Sequence, residues 1–220
     1  MISAVVFDLD DTLYPELSYV YSGFRAVASF LSDDHFSQDY LYGRMTSLLE
    51  IHGRGKVFDM ILQECGRYSN VLVKTLLFIY RNHTPQLTLP TLSEDILTSL
   101  RSKEKKLGII TDGNMSTQHH KVEALGLYNK VDQVIGTDIF GPGFSKPSLY
   151  PYQVMSTLLG VDPTNMMYVG DNITKDFLGA NQLGIHTVYL NPTKQPSILD
   201  RFYWAKDEIL SLSEILNKVD

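Results

Sequence analysis

The chain has 220 residues, of which 44% are hydrophobic, and its formal net charge at pH 7 is −6. This composition suits one large domain, or a core domain with a smaller inserted one. Lysine and arginine form no long cluster, so a nucleic acid polymer is not an expected partner. No stretch approaches the roughly 20 apolar residues of a membrane span, and no signal segment opens the sequence. We expect a soluble cytoplasmic protein without membrane contact.

The sulfur and imidazole side chains argue against a disulfide framework and a zinc site. Cys65 is the single cysteine, and the six histidines show no zinc-ligand spacing. Cys65 stands among apolar residues, which favours a structural thiol. His119 and His120 have no carboxylate or cysteine at ligand spacing and are interpreted as surface or packing residues. A metal bound here is expected to be hard and coordinated by oxygen.

The first predicted element is a strand at residues 2–7, a short apolar run typical of a strand buried on both faces. Four similar runs follow, each separated from the next by a helical pattern. They lie at residues 107–110, 133–136, 166–169 and 186–190. The alternation predicts an α/β fold with a Rossmann-like, doubly wound parallel sheet.

Helix ends are marked by capping residues. Ser93, followed by acidic residues, predicts a helix N-cap. Gly126 and Gly184 stand where two helices should end. Ser211 and Glu214 form a capping-box pattern near the end of the sequence.

Residues 14–88 interrupt the alternation with helical patterns at 17–31, 36–51, 57–65 and 71–82 and no convincing strand. This pattern predicts an all-α helical bundle inserted after the first strand. The predicted organisation is therefore a core domain formed by residues 1–13 and 89–220, and an inserted domain at 14–88.

Polar residues follow several predicted strands, at the sheet edge where open parallel sheets bind ligands. In chain order they are Asp8, Asp10, Thr111, Asp112, Gly113, Lys146 and Asp171. Clustered carboxylates repel one another unless a cation compensates, and Mg²⁺ prefers oxygen ligands of this kind. Asp8 and Asp171 are the strongest candidates for side-chain ligands. A carboxylate beside the ion can attack phosphorus, and Asp10 can act as the second acid that such chemistry needs.

Four short motifs resemble those of the haloacid dehalogenase-like superfamily, phosphatase type. They are "DLDDT" from Asp8, "IITDGN" from Ile109, "SKP" around Lys146 and "VGDNITKD" ending at Asp176. They occur in the family's order, and the helical insert falls between the first and second motifs, where one large subgroup carries its cap. The resemblance implies a Rossmann-like core with a helical cap and Mg²⁺ as cofactor.

The resemblance also implies roles for individual residues. Asp8 would be the nucleophile and a metal ligand. Asp10 would be the acid and base, and its backbone carbonyl would bind the metal. Lys146 would neutralise the nucleophile and the transferring group, and Asp171 would ligate the metal.

Other motif residues would hold or orient the phosphoryl group. Thr111 and the backbone around Asp112 and Gly113 would bind its oxygens. Asp176 would be a ligand or would orient the site, and Asn172 of the same motif would bind phosphate or support the residues that do. These assignments, like those above, are carried over position by position.

Two sequence details bear on the resemblance. Many relatives have a second proline three residues after the motif lysine, whereas this chain has Leu149 there and Pro151 two residues later. Founding dehalogenases lack an acid at the position of Asp10. Its presence favours phosphoryl transfer over cleavage of a carbon–halogen bond.

Substrate choice is expected to depend on the cap. Arg54 and Lys56 are flanked by glycines in "HGRGK", and arginine suits a second anionic group. Tyr14 is a third candidate for substrate contact, whereas Tyr19 and Tyr21 are interpreted as packing residues. An ordinary interhelical turn with solvated basic residues is an equally good reading of the loop.

The predicted function is a magnesium-dependent phosphatase acting on a small phosphorylated metabolite through an aspartyl-phosphate on Asp8. Candidate substrates are a sugar phosphate, a nucleoside monophosphate or phosphoglycolate. The alternatives are a phosphomutase of the same fold and a non-catalytic module that binds phosphorylated metabolites. We expect a monomer or a weak homodimer.

Overall fold

A six-stranded parallel sheet with the order β3-β2-β1-β4-β5-β6 forms the centre of the core. The computed structural model describes residues 1–194 and 204–219. The strands are β1 Ala4–Phe7, β2 Lys106–Thr111, β3 Gln133–Gly136, β4 Met166–Gly170, β5 His186–Leu190 and β6 Asp207–Ile209. Every neighbouring pair is parallel, as the sequence predicts for a doubly wound α/β fold.

The described residues also form eight α-helices. They are α1 Glu16–Leu31, α2 Gln38–His52, α3 Val57–Glu64, α4 Asn70–Asn82, α5 Thr91–Ser102, α6 Met115–Ala124, α7 Tyr150–Leu159 and α8 Leu178–Gln182. Helices of the core cover the sheet with apolar side chains. Tyr152 and Met155 of α7 pack with Val6 of β1 and Tyr168 of β4 in one buried cluster.

The register of the central strands brings three chain segments to one edge of the sheet. Phe7 at the end of β1 pairs with Ile109 of β2 on one side and with Val169 of β4 on the other. Because the strands are parallel, the residues that follow them emerge side by side. Asp8 comes directly after β1, and Asp171 comes directly after β4.

All five predicted strands are present, and β6 was missed. The strand β6 has three residues at the edge of the sheet, and of these only Ile209 is buried. So short a segment carries no periodicity that a sequence pattern can reveal.

The predicted helix ends have different outcomes. The N-cap prediction for Ser93 is wrong, because α5 begins at Thr91 and Ser93 lies buried in its first turn. The Ser93 hydroxyl donates a hydrogen bond to the Leu13 carbonyl at 2.6 Å, which satisfies a buried acceptor. Gly126 and Gly184 follow helices with φ of 65° and 79°, as predicted.

The capping box of Ser211 and Glu214 is also confirmed, and it begins a 3-10 helix at Leu212–Asn217. His186, in β5, donates a hydrogen bond from Nε2 to the Asp207 carboxylate of β6 at 2.8 Å. The strand β6 is therefore held against β5 by a side-chain hydrogen bond as well as by strand pairing.

The chain divides into two compact units, Met1–Pro15 with Thr88–Asp220, and Glu16–Leu87. Residues 195–203 and 220 of the first unit lie outside the described residues. The second unit contains α1 to α4, whose apolar faces form one buried cluster that includes Phe24, Met45 and Leu76. None of the helices among the described residues is long and apolar enough to cross a membrane.

Packing at Gly179 generates the first prediction. A Cβ at this position would lie 2.4 Å from the Pro147 carbonyl oxygen and 2.8 Å from backbone atoms of Ser148. Because the backbone of Pro147 and Ser148 would have to shift to relieve this clash, Gly179→Ala should lower the free energy of unfolding by about 1–3 kcal/mol. Urea denaturation measures this change.

The matched control is Gly136→Ala, because a Cβ at Gly136 would meet nothing within 4 Å. Its free energy of unfolding should stay within about 0.5 kcal/mol of the wild-type value. Equal stability of the two variants would contradict the close contact at Gly179.

Candidate active site

Asp8 lies at the carboxyl end of β1 with only 2% of its surface exposed. Its backbone N–H donates to the Val169 carbonyl at 2.8 Å, which continues the pairing of β1 with β4. Its Oδ1 atom accepts a hydrogen bond from Lys146 Nζ at 2.7 Å. Its Oδ2 atom is buried and has no hydrogen-bond partner among the described residues. A buried carboxylate oxygen in this state is costly unless something binds it.

Lys146 supplies positive charge at the centre of the site. Its buried Nζ donates to Asp8 Oδ1, to Asp176 Oδ1 at 2.8 Å and to the Tyr168 hydroxyl at 2.9 Å. Burial opposes its charge, but Asp176 and Asp8 together raise the pKa of Lys146 well above its usual value. The ammonium is therefore charged, and its three hydrogens have three acceptors.

Asp176 is fully buried and joins the lysine to the loop after β4. Its Oδ2 atom accepts the backbone N–H of Asn172 at 2.8 Å. A Cβ at Gly170 would lie 2.4 Å from the same Oδ2 atom, so only glycine leaves room for the carboxylate. The Asn172 side chain in turn accepts from the Thr174 backbone at 3.0 Å, which fixes the turn.

Three carboxylates meet in this region. Asp8, Asp171 and Asp176 each offer an oxygen, and these atoms all lie within 4.8 Å of one another. Burial, and then the nearby charges of Asp8, Asp176 and Asp11, raise the pKa of Asp171 to about 7. Burial likewise raises the pKa of Asp8 to about 6, although Lys146 opposes the shift.

The donor set suits a hard cation. Carboxylate oxygens are the ligands that such ions prefer, and the orphaned Oδ2 of Asp8 faces no competing hydrogen-bond donor among the described residues. The ammonium of Lys146, with the charge of Lys175 near Asp8 and Asp171, balances only part of the negative charge of the three carboxylates. The aspartate cluster can therefore hold a metal ion.

Asp10 lies apart from this cluster in a dense set of hydrogen-bond donors. Its Oδ1 atom accepts from the Tyr14 hydroxyl at 2.7 Å and from Lys121 Nζ at 2.8 Å. Its Oδ2 atom accepts from Gln118 Nε2 and from Lys121 Nζ, both at 2.9 Å. Burial alone would raise the pKa of Asp10, but the Lys121 charge and these hydrogen bonds lower it.

The loop after β2 carries the next group of predicted residues. Thr111 is buried at the end of the strand, and Gly113 has a φ of 124°, in the region that favours glycine. The Asp112 carboxylate accepts from the Thr137 hydroxyl at 2.6 Å and from the Lys146 backbone at 3.2 Å. The Asp112 side chain thus holds the loop that carries Lys146.

The structure brings the predicted core residues together in two adjoining groups. Asp8, Lys146, Asp171 and Asp176 form the charged cluster. The second group is Asp10 with Thr111, which are joined through hydrogen bonds to Gln118.

The three predicted candidates for substrate contact belong to different parts of the chain. Tyr14 is buried, and its hydroxyl bonds to Asp10. Arg54 and Lys56 belong to the second unit, where they are exposed in a 3-10 helix, Arg54–Lys56. Arg54 forms an ion pair with Glu16 of the same unit. His119, which the sequence analysis assigned to the surface, is exposed and contacts the Tyr128 hydroxyl at 2.8 Å.

Gln118 and Lys121 were not predicted as site residues. Both lie on α6, three residues apart and hence on one face, and each is only 3% exposed. Their spacing of three residues, in the helix that follows the second motif, could have indicated a shared face. A glutamine and a lysine in a polar helix ordinarily face solvent, however, so the spacing alone did not predict burial.

A cavity of about 620 Å³ opens beside Asp171 in the first unit. Its walls include Asp11, Tyr14, Tyr189 and Asn191. Small-molecule sites typically have roughly 300–1,000 Å³. The volume therefore suits a small ligand next to the aspartate cluster.

Comparison with known proteins agrees with this geometry. The chain is 30% identical over 225 residues to glyceraldehyde 3-phosphate phosphatase of Methanocaldococcus jannaschii, covering 100% of this chain and 97% of that protein. It is 26% identical over 246 residues to human N-acylneuraminate-9-phosphatase, covering 100% and 95%. The fold matches YfnB, a HAD-hydrolase of Bacillus subtilis, with a TM-score of 0.71, 19% identity and coverage of 100% and 99%.

The model of the haloacid dehalogenase-like hydrolase family matches residues 2–184. The match includes all four motifs, from Asp8 to Asp176, and the two named relatives are phosphatases. The predictions of the family and of a hydrolase are confirmed. The chain belongs to the haloacid dehalogenase-like hydrolases.

Proposed function

We propose that the chain is a magnesium-dependent phosphatase that hydrolyses a small phosphorylated metabolite through an aspartyl-phosphate on Asp8. The geometry of Asp8 carries the proposal. One of its oxygens is held by Lys146, and the other is buried without a partner among the described residues, beside Asp171. A carboxylate fixed in this way presents an oxygen to an incoming phosphorus atom.

In the proposed first step, an Asp8 oxygen attacks phosphorus and the bond from phosphorus to the ester oxygen breaks. Lys146 stabilises the negative charge of the transferring group from its position against Asp8. Mg²⁺, held when bound by the Asp8 and Asp171 carboxylates and the Asp10 carbonyl, would neutralise charge on the phosphoryl oxygens. The product of this step is the aspartyl-phosphate and the leaving alcohol.

The protonated form of Asp10 supplies the proton that the leaving alkoxide needs, and the Lys121 charge and hydrogen bonds that lower the pKa of Asp10 make this form a strong acid. In the second step the same carboxylate accepts a proton from water, which attacks phosphorus and releases phosphate from Asp8. The position of Asp10 two residues after Asp8 on the loop that leaves β1 supports this division of roles. Asp8 is regenerated, so the cycle balances.

The loop after β2 is proposed to bind the phosphoryl oxygens. Thr111 offers its hydroxyl, and the backbone around Asp112 and Gly113 offers N–H groups at the edge of the sheet. Asp176 and Asn172 orient the loop after β4 through their hydrogen bond. These groups position the reactants and need make no covalent bond.

The relatives support a small phosphorylated substrate. The named relatives are phosphatases of glyceraldehyde 3-phosphate and of an N-acylneuraminate 9-phosphate, and the cavity beside Asp171 has about 620 Å³. A sugar phosphate is therefore the first candidate, ahead of a nucleoside monophosphate or phosphoglycolate. Arg54 and Lys56 of the helical unit, proposed as the cap, are the candidates for contacts with a second anionic group. We place the enzyme in the cytoplasm, as a monomer or a weak homodimer.

The first test of this function is phosphate release from a panel of these phosphorylated metabolites, with Mg²⁺ and with a chelator. Magnesium-dependent release from one or a few compounds is expected. Asp8→Asn should reduce turnover by at least about 1,000-fold, because it removes the nucleophile. An isomeric product without phosphate release would indicate a mutase, and retained turnover in Asp8→Asn would contradict the mechanism.

The pKa of Asp171 generates a prediction on stability in metal-free buffer. Its carboxyl has a pKa of about 7 in the folded protein against 3.8 in a model peptide. The folded state therefore binds a proton more tightly, and the wild type loses stability as the pH rises from 4 to 7. Asp171→Asn should be more stable than the wild type above pH 7, with the advantage shrinking toward pH 4.

Urea denaturation with a chelator at several pH values measures the difference. The control is Asp95→Asn, which changes an exposed aspartate of α5. Added Mg²⁺ should stabilise the wild type and the control much more than Asp171→Asn. An advantage of Asp171→Asn that did not depend on pH would contradict the shifted pKa.

The proposed role of the helical unit makes a separate prediction. Lys56 is exposed and would contact an anionic group of the substrate in the ground state and the transition state alike. Lys56→Ala should therefore raise KM roughly 10-fold with little change in kcat. Lys74→Ala, at an exposed position of α4, is the matched control. An unchanged KM for Lys56→Ala would remove this residue from the proposal.

A further inference from the structure

We propose that Lys121 and Gln118 of α6 are positioning residues for Asp10, which fix its carboxylate for proton transfer to the leaving group. The inference rests on the proposed function, since it assigns Asp10 the role of acid and base. Neither residue belongs to the four motifs. Both act from the helix that follows the phosphate-binding loop.

Lys121 forms hydrogen bonds with both oxygens of the Asp10 carboxylate. Its Nζ lies 2.8 Å from Asp10 Oδ1 and 2.9 Å from Asp10 Oδ2. A donor that spans the two oxygens opposes rotation of the carboxylate about its last bond. The Lys121 side chain is only 3% exposed, so its ammonium has given up most of its hydration to make this contact.

Gln118 joins Asp10 to the loop after β2. Its Nε2 lies within hydrogen-bond distance of three acceptors, namely Asp10 Oδ2 at 2.9 Å, the Asp112 carbonyl at 3.0 Å and the Thr111 hydroxyl oxygen, and its two hydrogens are shared among them. Because Thr111 accepts this bond, its own hydroxyl hydrogen stays available for a phosphoryl oxygen. The side-chain amide of Gln118 therefore fixes the position of the Asp10 carboxylate relative to the Thr111 hydroxyl.

The arrangement has a chemical purpose beyond stability. General acid catalysis requires the acid within hydrogen-bond reach of the leaving oxygen, and it typically contributes about 100- to 10,000-fold. Leaving groups that are already stable as anions need little of this help. A defect in the positioning of Asp10 should therefore slow the cleavage of alkyl phosphates much more than that of aryl phosphates.

A purely structural role would give a different result. If Lys121 only fastened α6 to the loop after β1, its loss would slow all substrates to a similar extent. It would also add to the effect of removing the Asp10 carboxylate. The dependence on the leaving group and the additivity of two variants thus separate the two roles.

The experiment compares kcat/KM for p-nitrophenyl phosphate and for the best alkyl phosphate of the panel. Lys121→Met should lower the value for the alkyl phosphate about 100-fold and that for p-nitrophenyl phosphate less than 10-fold. Loss of the Lys121 charge also favours the protonated form of Asp10, and the proposal is that the loss of orientation outweighs this gain. Lys121→Arg, which keeps a charged donor, should recover part of the loss. The double variant Asp10→Asn with Lys121→Met should be no slower than Asp10→Asn alone.

The matched control is Lys105→Met. Lys105 is a half-buried lysine of the same unit, and its Nζ donates to the Ile2 carbonyl at 2.8 Å, outside the site. This variant should leave both kcat/KM values unchanged. Lys121→Gln keeps a polar end in the buried position and carries the same comparison if Lys121→Met does not fold.

Equal losses for both substrates, or additive losses in the double variant, would overturn the positioning role. Wild-type activity that Asp8→Asn abolishes and Lys121→Met leaves intact would overturn this inference alone. A wild-type protein that cleaves neither ester would overturn the proposed function and this inference with it.

Discussion

The contact of the buried Lys146 ammonium with Asp8 and Asp176 is the interaction on which the rest of the site depends. Three donors of one lysine are satisfied by two carboxylates and the Tyr168 hydroxyl. A buried ion pair is tolerated only when its geometry is this complete. With Asp171 added, the carboxylates outnumber the lysine, so the site keeps a negative charge that favours binding of a cation.

The parallel sheet makes this contact possible. Asp8 and Lys146 are separated by 138 positions in the chain. Lys146 lies between β3 and α7, and the parallel order β3-β2-β1 brings this loop to the same edge of the sheet as Asp8. Two local features then hold the loops in place. The Asp112 carboxylate accepts a hydrogen bond from the Lys146 backbone N–H, and the lack of a side chain at Gly170 leaves space for the Asp176 carboxylate. The geometry of the site is thus set by strand register and by a few buried polar contacts.

Asp8 and Asp10 are two residues apart and lie in opposite environments. Burial and the Asp176 carboxylate raise the pKa of Asp8, whereas Lys121 and other donors overcome burial and lower that of Asp10. Two identical groups thus meet different surroundings: Asp8 is bonded to Lys146, and Asp10 is bonded to Tyr14, Gln118 and Lys121. In this protein α6 provides the second environment, through Gln118 and Lys121.

The α/β fold, the five longer strands and the family could be predicted from the sequence. These features depend on local periodicity and on short motifs, which are written in contiguous residues. The sequence misplaced the start of α5 at Ser93 and missed β6, because a buried carbonyl and a sheet edge are supplied by distant segments. The burial of Gln118 and Lys121 against Asp10 was decided by the tertiary structure. Hydrogen bonds between residues more than 100 positions apart leave no pattern in the chain, so their partners emerge only when the strands have been brought into register.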